Sequence, residues 1–449
     1  MLFSPRKIEK CYNIICLKDG DIMSFVICVS IITIILMLIC IIKFPKIKIK
    51  NFSIDTFWIV PLISAIILLV SKAIPFDKAI SGLTSNDSIN PLKILVLFFS
   101  MTFLSIVLDE LGFFEVIANV ALKKVKHNQF ALFLILYLLT SILTIFTSND
   151  IIILTFTPFI IFFSKNAKIN PTPYLVSEFI AANTWSMLLI IGNPTNIYLA
   201  TSCNIEFFEY TSHMALPTMF AGLGSLGLLL LIFNKHLKKP LDITLTDATI
   251  KSKFLLIVNL ICLGFCTILL SIASYLQMEM YLVSFVFAFI LLSVLIIYSI
   301  IKKNFTYLKN SLKRIPYSLL PFILSMFIIV LSLKEVGVTS LLNGLLSGKA
   351  HVITYGIVST LTCNFINNIP VSVLFSEVIS SGSITDIYST IIGTNIGAFL
   401  TPIGALAGIM WLSILKEHKV NYSFLTFTKY GVMIALPTLM LALVGLLML

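Results

Sequence analysis

Two apolar stretches, Ile180 to Tyr198 (IAANTWSMLLIIGNPTNIY) and Ile391 to Trp411 (IIGTNIGAFLTPIGALAGIMW), limit most sharply what this chain can become. Each is long enough to cross a bilayer, yet each carries Gly, Pro, Thr and Asn near its middle, where an ordinary spanning helix has Leu or Val. Proline removes a backbone donor and glycine loosens the chain, so Pro194 and Pro402 are predicted to interrupt a helix at membrane depth. Freed backbone groups inside hydrocarbon must be satisfied by protein or by a water-filled cavity. Each break is therefore a candidate binding place.

Hydrophobic residues make up 58% of the chain and charged residues 11%. Several apolar runs exceed the roughly 18 residues that a spanning helix needs, which predicts an all-α polytopic membrane protein. The net charge of +11 does not point to nucleic acid, because the Lys and Arg residues sit in short loops between apolar runs, as the positive-inside bias requires. Eight cysteines (Cys11, Cys16, Cys28, Cys40, Cys203, Cys262, Cys266, Cys363) are scattered without metal or disulfide spacing and read as packing residues. The run Ile22 to Ile42 is long for a signal sequence and lacks a small-residue cleavage site, so it is expected to be a retained helix.

In chain order, helices are expected near 22–43, 57–74 and 92–109, then an amphipathic, interfacial piece from Gly112 to Lys126. The block Gln129 to Ser164 holds 36 residues. One helix of that length would run roughly 54 Å, too long for a hydrocarbon core of about 30 Å. With TSND at 147–150 at its centre, it reads as a re-entrant hairpin; the alternative is two spanning helices with a surface turn. A broken helix near 174–199 and a spanning helix near 213–233 follow.

The second half repeats this order: helices near 254–274, 281–301 and 317–333, an interfacial piece at 338–346, a hairpin at 350–380, a broken helix and a last helix from 430. Ser100-Met101, Glu110 and Gly112 match Ser325-Met326, Glu335 and Gly337 at an offset of 225, and Asn149 matches Asn367 at 218. Asn183 and Gly192 meet Asn395 and Gly404 at 212, while Ala215-Leu216-Pro217-Thr218 meets Ala435-Leu436-Pro437-Thr438 at 220. Five crossings and one hairpin per unit is an odd count, which makes the repeat inverted, with about ten transmembrane helices and two hairpins in all. The loops at 43–56, 110–129, 164–173, 234–253, 302–316 and 413–429 then share one face and hold 22 of the 31 Lys and Arg residues. That face is assigned to the cytoplasm. Arg6, Lys7, Lys10 and Lys18, ahead of the first helix, pull the other way.

Four short stretches carry the chemistry: Thr147-Ser148-Asn149-Asp150, Gly192-Asn193-Pro194-Thr195-Asn196, Asn364 to Pro370 with Asn367 and Asn368, and Thr394-Asn395 with Thr401-Pro402. Helix N-termini at such breaks offer free N–H groups to an anion. Asparagine amides donate to an anion or coordinate Na⁺ through their oxygen without burying a full charge. Cation sites are expected near Ser148, Asn149 and Asn193 and near Asn367, Asn395 and Thr401. The plainer alternative is that these amides only satisfy broken backbone. Asp150 is read as the one acid deep in these sites, a proton carrier or cation ligand, since a charge there costs about 2.5 kcal/mol or more. Glu178 is assigned to the cytoplasmic interface, and Asp109, Glu110 and Glu115 to the turn into the interfacial helix. The histidines fall at helix ends or loops, and no metal or triad constellation emerges.

DELGFFE at 109–115, the SND tip, NNIP at 367–370, TPIGALAGIMWLSIL at 401–415 and KYGVMIALPT at 429–438 resemble the ion transporter superfamily. Within it the resemblance is strongest to arsenite and antimonite efflux permeases, and GNPTN also resembles related anion permeases and sodium-coupled dicarboxylate and citrate carriers. It covers the chain from about residue 25 onward. It implies an elevator-type carrier, usually a homodimer, with scaffold segments 22–127 and 254–349, transport segments 129–233 and 350–449, and 1–21 as a separate N-terminal segment. It places substrate and ion contacts at Ser148, Asn149, Asp150, Gly192, Asn193, Asn196, Asn367, Asn368, Asn395, Thr401 and Pro402. The chain departs from the arsenite permeases at Asn183 and Asn395, where they usually have acids, and at Phe399, where they have lysine. It also lacks the paired Ser-Asn-Thr tips of dicarboxylate carriers.

The expected function is secondary active transport of a small anion or oxyanion, coupled to Na⁺ or H⁺ and without a cofactor. Asp150, Asn149, Asn193 and Asn196 form one half of the expected site, and Asn367, Asn368, Asn395 and Thr401 the other. Arsenite or antimonite efflux is the second reading. A membrane-embedded enzyme is the remote one, for want of convergent His, Cys or acid pairs.

Overall fold

The computed structural model describes residues 19–44, 46–49, 52–84, 90–123, 128–238, 249–273, 276, 278–346, 348, 350–379 and 383–449. The basic residues ahead of the first helix, Cys11, Cys16 and His127 lie outside the described residues. Helix α1 (Asp19–Lys43) leads into a short antiparallel hairpin, β1 (Lys46–Ile49) and β2 (Phe52–Asp55), which an all-α expectation did not include. The expected crossing at 57–74 is only α2 (Ile59–Val70), closed by Lys72 in the left-handed region, and a separate helix α3 (Phe76–Thr84) follows. Then come α4 (Pro91–Glu110), α5 (Phe113–Lys123), α6 (Gln129–Phe146), α7 (Asn149–Asn166), α8 (Thr172–Trp185), α9 (Pro194–Ser202) and α10 (Phe207–Leu237). The second half holds α11 (Lys253–Ile272), α12 (Met280–Lys302), α13 (Thr306–Lys313), α14 (Leu319–Glu335), α15 (Val338–Leu346), α16 (His351–Ile366), α17 (Asn368–Val378), α18 (Ile384–Gly397), α19 (Leu406–Glu417) and α20 (Phe424–Leu447).

Among the described residues seven helices are long and apolar enough to cross a membrane: α1, α4, α6, α10, α11, α12 and α20. The pair α14 and α15, bent by 80°, brings the number to eight. The expectation of about ten spanning helices counted the two broken helices as crossings and the α6–α7 pair as a hairpin; by length and composition the described residues give seven to eight. The broken segments supply short helices in series, each too brief to cross alone. The outward faces suit lipid: on α11, Phe254, Ile257, Ile261, Phe265 and Ile268 form an exposed apolar stripe at helical spacing.

Sequence explains the main junctions. Asn90 and Asn128 cap α4 and α6, each accepting two backbone N–H groups. Gly112 and Gly337 adopt positive φ (83° and 80°) directly after α4 and α14 and turn the chain into the short helices α5 and α15. The order after each turn recurs: two helices meeting at a tip (α6–α7, α16–α17), two separated by a break (α8–α9, α18–α19), then a long helix with an internal proline, Pro217 in α10 and Pro437 in α20. Tyr174 on α8 donates to Gln129 on α6, and His351 on α16 is bonded to Asp386 on α18, so the same two places in each unit are tied. Helices α16 and α18 approach closely enough that a Cβ at Gly393 would lie 2.0 Å from the Ser359 hydroxyl.

Candidate functional site

The two breaks differ in construction. Helix α8 stops at Trp185, a single 3-10 turn covers Ile190–Gly192, and α9 begins with Pro194 in its first turn. Pro194 thus starts the second half-helix, where its missing N–H costs nothing. Asn193 caps α9, accepting the Thr195 N–H at 3.2 Å. Pro402 lies mid-way along the non-helical link between Gly397 and Leu406. Gly192 and Gly404 are needed for closeness: a Cβ would lie 2.3 Å from the Ser186 carbonyl oxygen and 2.4 Å from that of Gly397.

A buried amide network runs through the first break and into the second. Asn149, at the α6–α7 tip, donates to the Asn183 side-chain oxygen at 3.0 Å. Ser186 and Asn193 both donate to Asn395 Oδ1 (3.0 and 2.8 Å), and Asn395 donates to Asn196 Oδ1 at 2.7 Å. Asn196 in turn donates to the Ser186 and Leu189 carbonyls, and the Thr195 hydroxyl to Asn196 Oδ1. Ser148 donates only a long bond, 3.4 Å, to Asn149. Asn395, expected beside Asn367 and Thr401, makes its side-chain bonds here with the first group. Its oxygen already accepts two hydrogen bonds.

The second group is local to its own unit. Asn364 Oδ1 accepts from the Thr401 N–H (2.9 Å) and hydroxyl (2.6 Å), and its amide donates to the Thr360 and Gly397 carbonyls. Asn367, at φ 78°, donates to the Ile403 carbonyl, and the Asn368 N–H reaches Gly404 O at 3.0 Å. Thr394 is fully buried, its hydroxyl turned back to the Ile391 carbonyl. In this conformation these amides bond to the broken backbone.

Of the expected site residues Asp150 opens onto a substantial space. A cavity of about 350 Å³ is walled by α4 (Phe98, Thr102), the α13–α14 link (Arg314, Ser318), α7 (Asp150, Leu154) and α19 (Met410, Ser413). Along α7 and α19 the lining descends from Asp150 and Leu406 to Ser413 and Ile414, so the cavity runs from the hairpin tip to the end where Arg314 sits. Among the described residues the Asp150 carboxylate has no ion pair. Arg314 has two: Asp109 at 2.6 Å and Glu110 at 3.8 Å, with Lys251 and Asn310 also on Glu110. Sequence reasoning counted Arg314 only as a loop charge. That the chain has just two arginines, Arg6 and Arg314, was the available signal.

The acids need a second correction. Glu178 is not interfacial; its carboxylate is buried, with Thr157 and Trp411 as donors. Glu377 and Asp386 are buried as well, paired with Lys334 at 2.6 Å and with His351. Of the cysteines, Cys262, Cys266 and Cys363 are buried as packing residues, while Cys28 is exposed. Among the described residues no group of three metal-binding side chains converges.

The family model for the citrate transporter matches residues 22–385. The chain belongs to the citrate transporter family. It is 26% identical over 378 residues to the arsenical pump membrane protein of Escherichia coli K12, covering 78% of this chain and 84% of that one. A putative arsenical pump membrane protein of Bacillus subtilis is 27% identical over 369 residues, covering 74% and 81%. The YdaH transporter of Alcanivorax borkumensis, whose crystal structure shows an unusual topology, shares the fold at a TM-score of 0.55 and 12% identity, over 95% of this chain and 97% of that one. Family, relatives and apolar spans together make this a multi-pass transporter of the cell membrane, not an enzyme.

Proposed function

We propose that the protein is a secondary active carrier of a small oxyanion or the weak acid that forms it, coupled to a proton held by Asp150. The observation that carries this is the cavity walled by α4, the α13–α14 link, α7 and α19, with the Asp150 carboxylate, unpaired among the described residues, at its tip end. An acid at membrane depth without a counter-ion is a functional group by default. A volume of about 350 Å³ suits a small solute, and the hydroxyls of Thr102, Ser318 and Ser413 provide neutral hydrogen-bonding partners. Since Arg314 is balanced by Asp109 and Glu110, the cavity favours a solute of low net charge.

The tips and breaks form the substrate and ion contacts once their amides exchange partners during the cycle. Segments 129–233 and 350–449 move as the transport domain against scaffold segments 22–127 and 254–349, in an inverted repeat and an elevator motion, within a homodimer. With the basic loops in the cytoplasm, the cavity faces inward. Sodium is the alternative coupling ion. Amide oxygens already occupied by Ser186, Asn193 and Thr401 donors argue for the proton. Arsenite or antimonite efflux is the specific second reading, favoured by the relatives named arsenical pump membrane proteins.

Everted membrane vesicles test both. Arsenite accumulation that an uncoupler abolishes establishes proton-driven efflux. Its absence with folded protein, and uptake of citrate or another small oxyanion on a sodium gradient, overturns the proton and arsenite assignments together.

A further inference from the structure

Glu178 is a carboxylate that neither the cavity nor the tips account for. It is 1% exposed, on α8, enclosed between α7 and α19. The Thr157 hydroxyl donates to both of its oxygens, at 2.9 and 3.1 Å, and the Trp411 indole N–H to Oε2 at 3.3 Å. Among the described residues no cation pairs with it. Glu209, His213, Lys235 and His236 on α10, Tyr388 on α18 and Lys416 on α19 make no ion pair with it, and other titratable groups on the elements around it bond elsewhere. Lys165 on α7 donates to the His418 carbonyl, Tyr137 on α6 to that of Gly222, and Tyr210 on α10 to that of Met187. Tyr174 on α8 donates to Gln129, and Asp386 on α18 pairs with His351. Asp150 lies two turns away on α7. A carboxylate taken out of water without a counter-charge is disfavoured by several kcal/mol, so a group placed here holds a proton unless the site is forced to release it.

Its position gives that proton a way out. Asp150, Leu154 and Thr157 fall at i, i+4 and i+7 on one face of α7, and the first two line the cavity. Thr157 continues the same stripe one turn beyond the cavity lining; it is fully buried and touches Glu178 behind it. On the other side the Trp411 ring packs against Phe179, Tyr422 and Phe427, with centroids 5.4, 5.0 and 5.6 Å apart, an aromatic cluster on that flank.

We propose that Glu178 is a second proton-binding site of the carrier, exchanging its proton with the Asp150 cavity through the Thr157 hydroxyl. In the exchange the Glu178 carboxyl gives its proton to Thr157 Oγ1 while the Thr157 hydroxyl proton passes to a water admitted past Leu154 from the cavity. No other bond changes, and the carboxylate left behind keeps the Thr157 and Trp411 donors. A carrier so built couples each cycle to Glu178 as well as to Asp150. The inference rests on the proton-coupled reading above, so its test has one arm that needs no solute.

That arm is infrared difference spectroscopy of the reconstituted full chain across a pH jump. A carboxylic C=O band that titrates in the wild type, is lost in Glu178→Gln, and is slowed in Thr157→Val but restored in Thr157→Ser supports the assignment. No band sensitive to Glu178→Gln overturns it. The second arm uses arsenite as the probe in proteoliposomes. Glu178→Gln is expected to lower the ratio of uphill accumulation to passive exchange by roughly tenfold; an unchanged ratio overturns the coupling role. Wild-type protein that carries no arsenite defeats the arsenite reading, while the infrared arm still decides Glu178.

Discussion

Asp150 and Asn395 sit in the same region of the molecule and do opposite things. Asp150 faces a cavity and has no ion pair among the described residues, so Asp150→Asn is expected to abolish gradient-driven uphill transport while leaving the thermal unfolding of purified protein near the wild-type value; full retention of accumulation removes Asp150 from the mechanism. Asn395 is saturated, accepting from Ser186 and Asn193 and donating to Asn196 and the Ile391 carbonyl. Asn395→Leu orphans buried groups on both sides, each at about 1–3 kcal/mol, and is expected to lower the unfolding temperature markedly; an unchanged value shows that the network does not hold the break. Asp150 was legible in the sequence because an acid between Asn149 and a run of isoleucines has no routine explanation. The pairing of Asn395 with residues about 200 positions earlier was not, since asparagine in a break carries no mark of which partner it will meet. Glu178 was misplaced for a related reason. Its distance from the helix start suggested an interface, whereas α8 is buried along nearly its whole length.

At the scale of elements, the breaks are held by backbone contacts that leave no room for a side chain. A Cβ at Gly404 would lie 2.4 Å from Gly397 O and 3.0 Å from Asn364 Oδ1, so Gly404→Ala displaces Asn364 from the two Thr401 donors. Transport is expected to fall sharply with reduced stability, checked by solute flux beside thermal unfolding; wild-type flux shows that this link is dispensable. Between α14 and α17 the pair Lys334–Glu377 joins an exposed ammonium to a carboxylate only 4% exposed. Removing the lysine strands the acid, so Lys334→Met is expected to cost about 1–3 kcal/mol after allowance for solvent screening. Adding Glu377→Gln should recover part of that loss, and a double-mutant cycle without coupling refutes the pair. Element types were readable where periodicity and turn residues agreed, as at Gly112 and Gly337. The β1–β2 hairpin and helices α3 and α13 escaped because short polar connections with scattered apolar residues carry neither the 3.6 nor the 2.0 repeat strongly.

At the scale of the molecule, the recurring order of turn, tip, break and long helix was legible because it leaves matching residues at nearly constant offsets. The number of helices long enough to cross was harder to read, because length alone does not tell a crossing helix from two short ones in series. The proposed elevator motion makes a prediction at the walls of the cavity. Thr102 lies on α4, in the segment assigned to the scaffold, and Ser413 on α19, in the segment assigned to transport; both line the same space. In a chain whose native cysteines are replaced by serine, Thr102→Cys and Ser413→Cys are both expected to react with a membrane-impermeant maleimide from the cytoplasmic side. A proton gradient that draws the transport segments outward should slow labelling of both several-fold, because α7 and α19 would leave α4 and close the space between them. A channel with a fixed pore gives the same labelling rate with or without the gradient, and that result would remove the elevator. Protection of Ser413→Cys alone, with Thr102→Cys unchanged, would instead mean a local gate at the end of α19, since a rigid domain cannot withdraw one wall of this cavity and leave the other exposed as before.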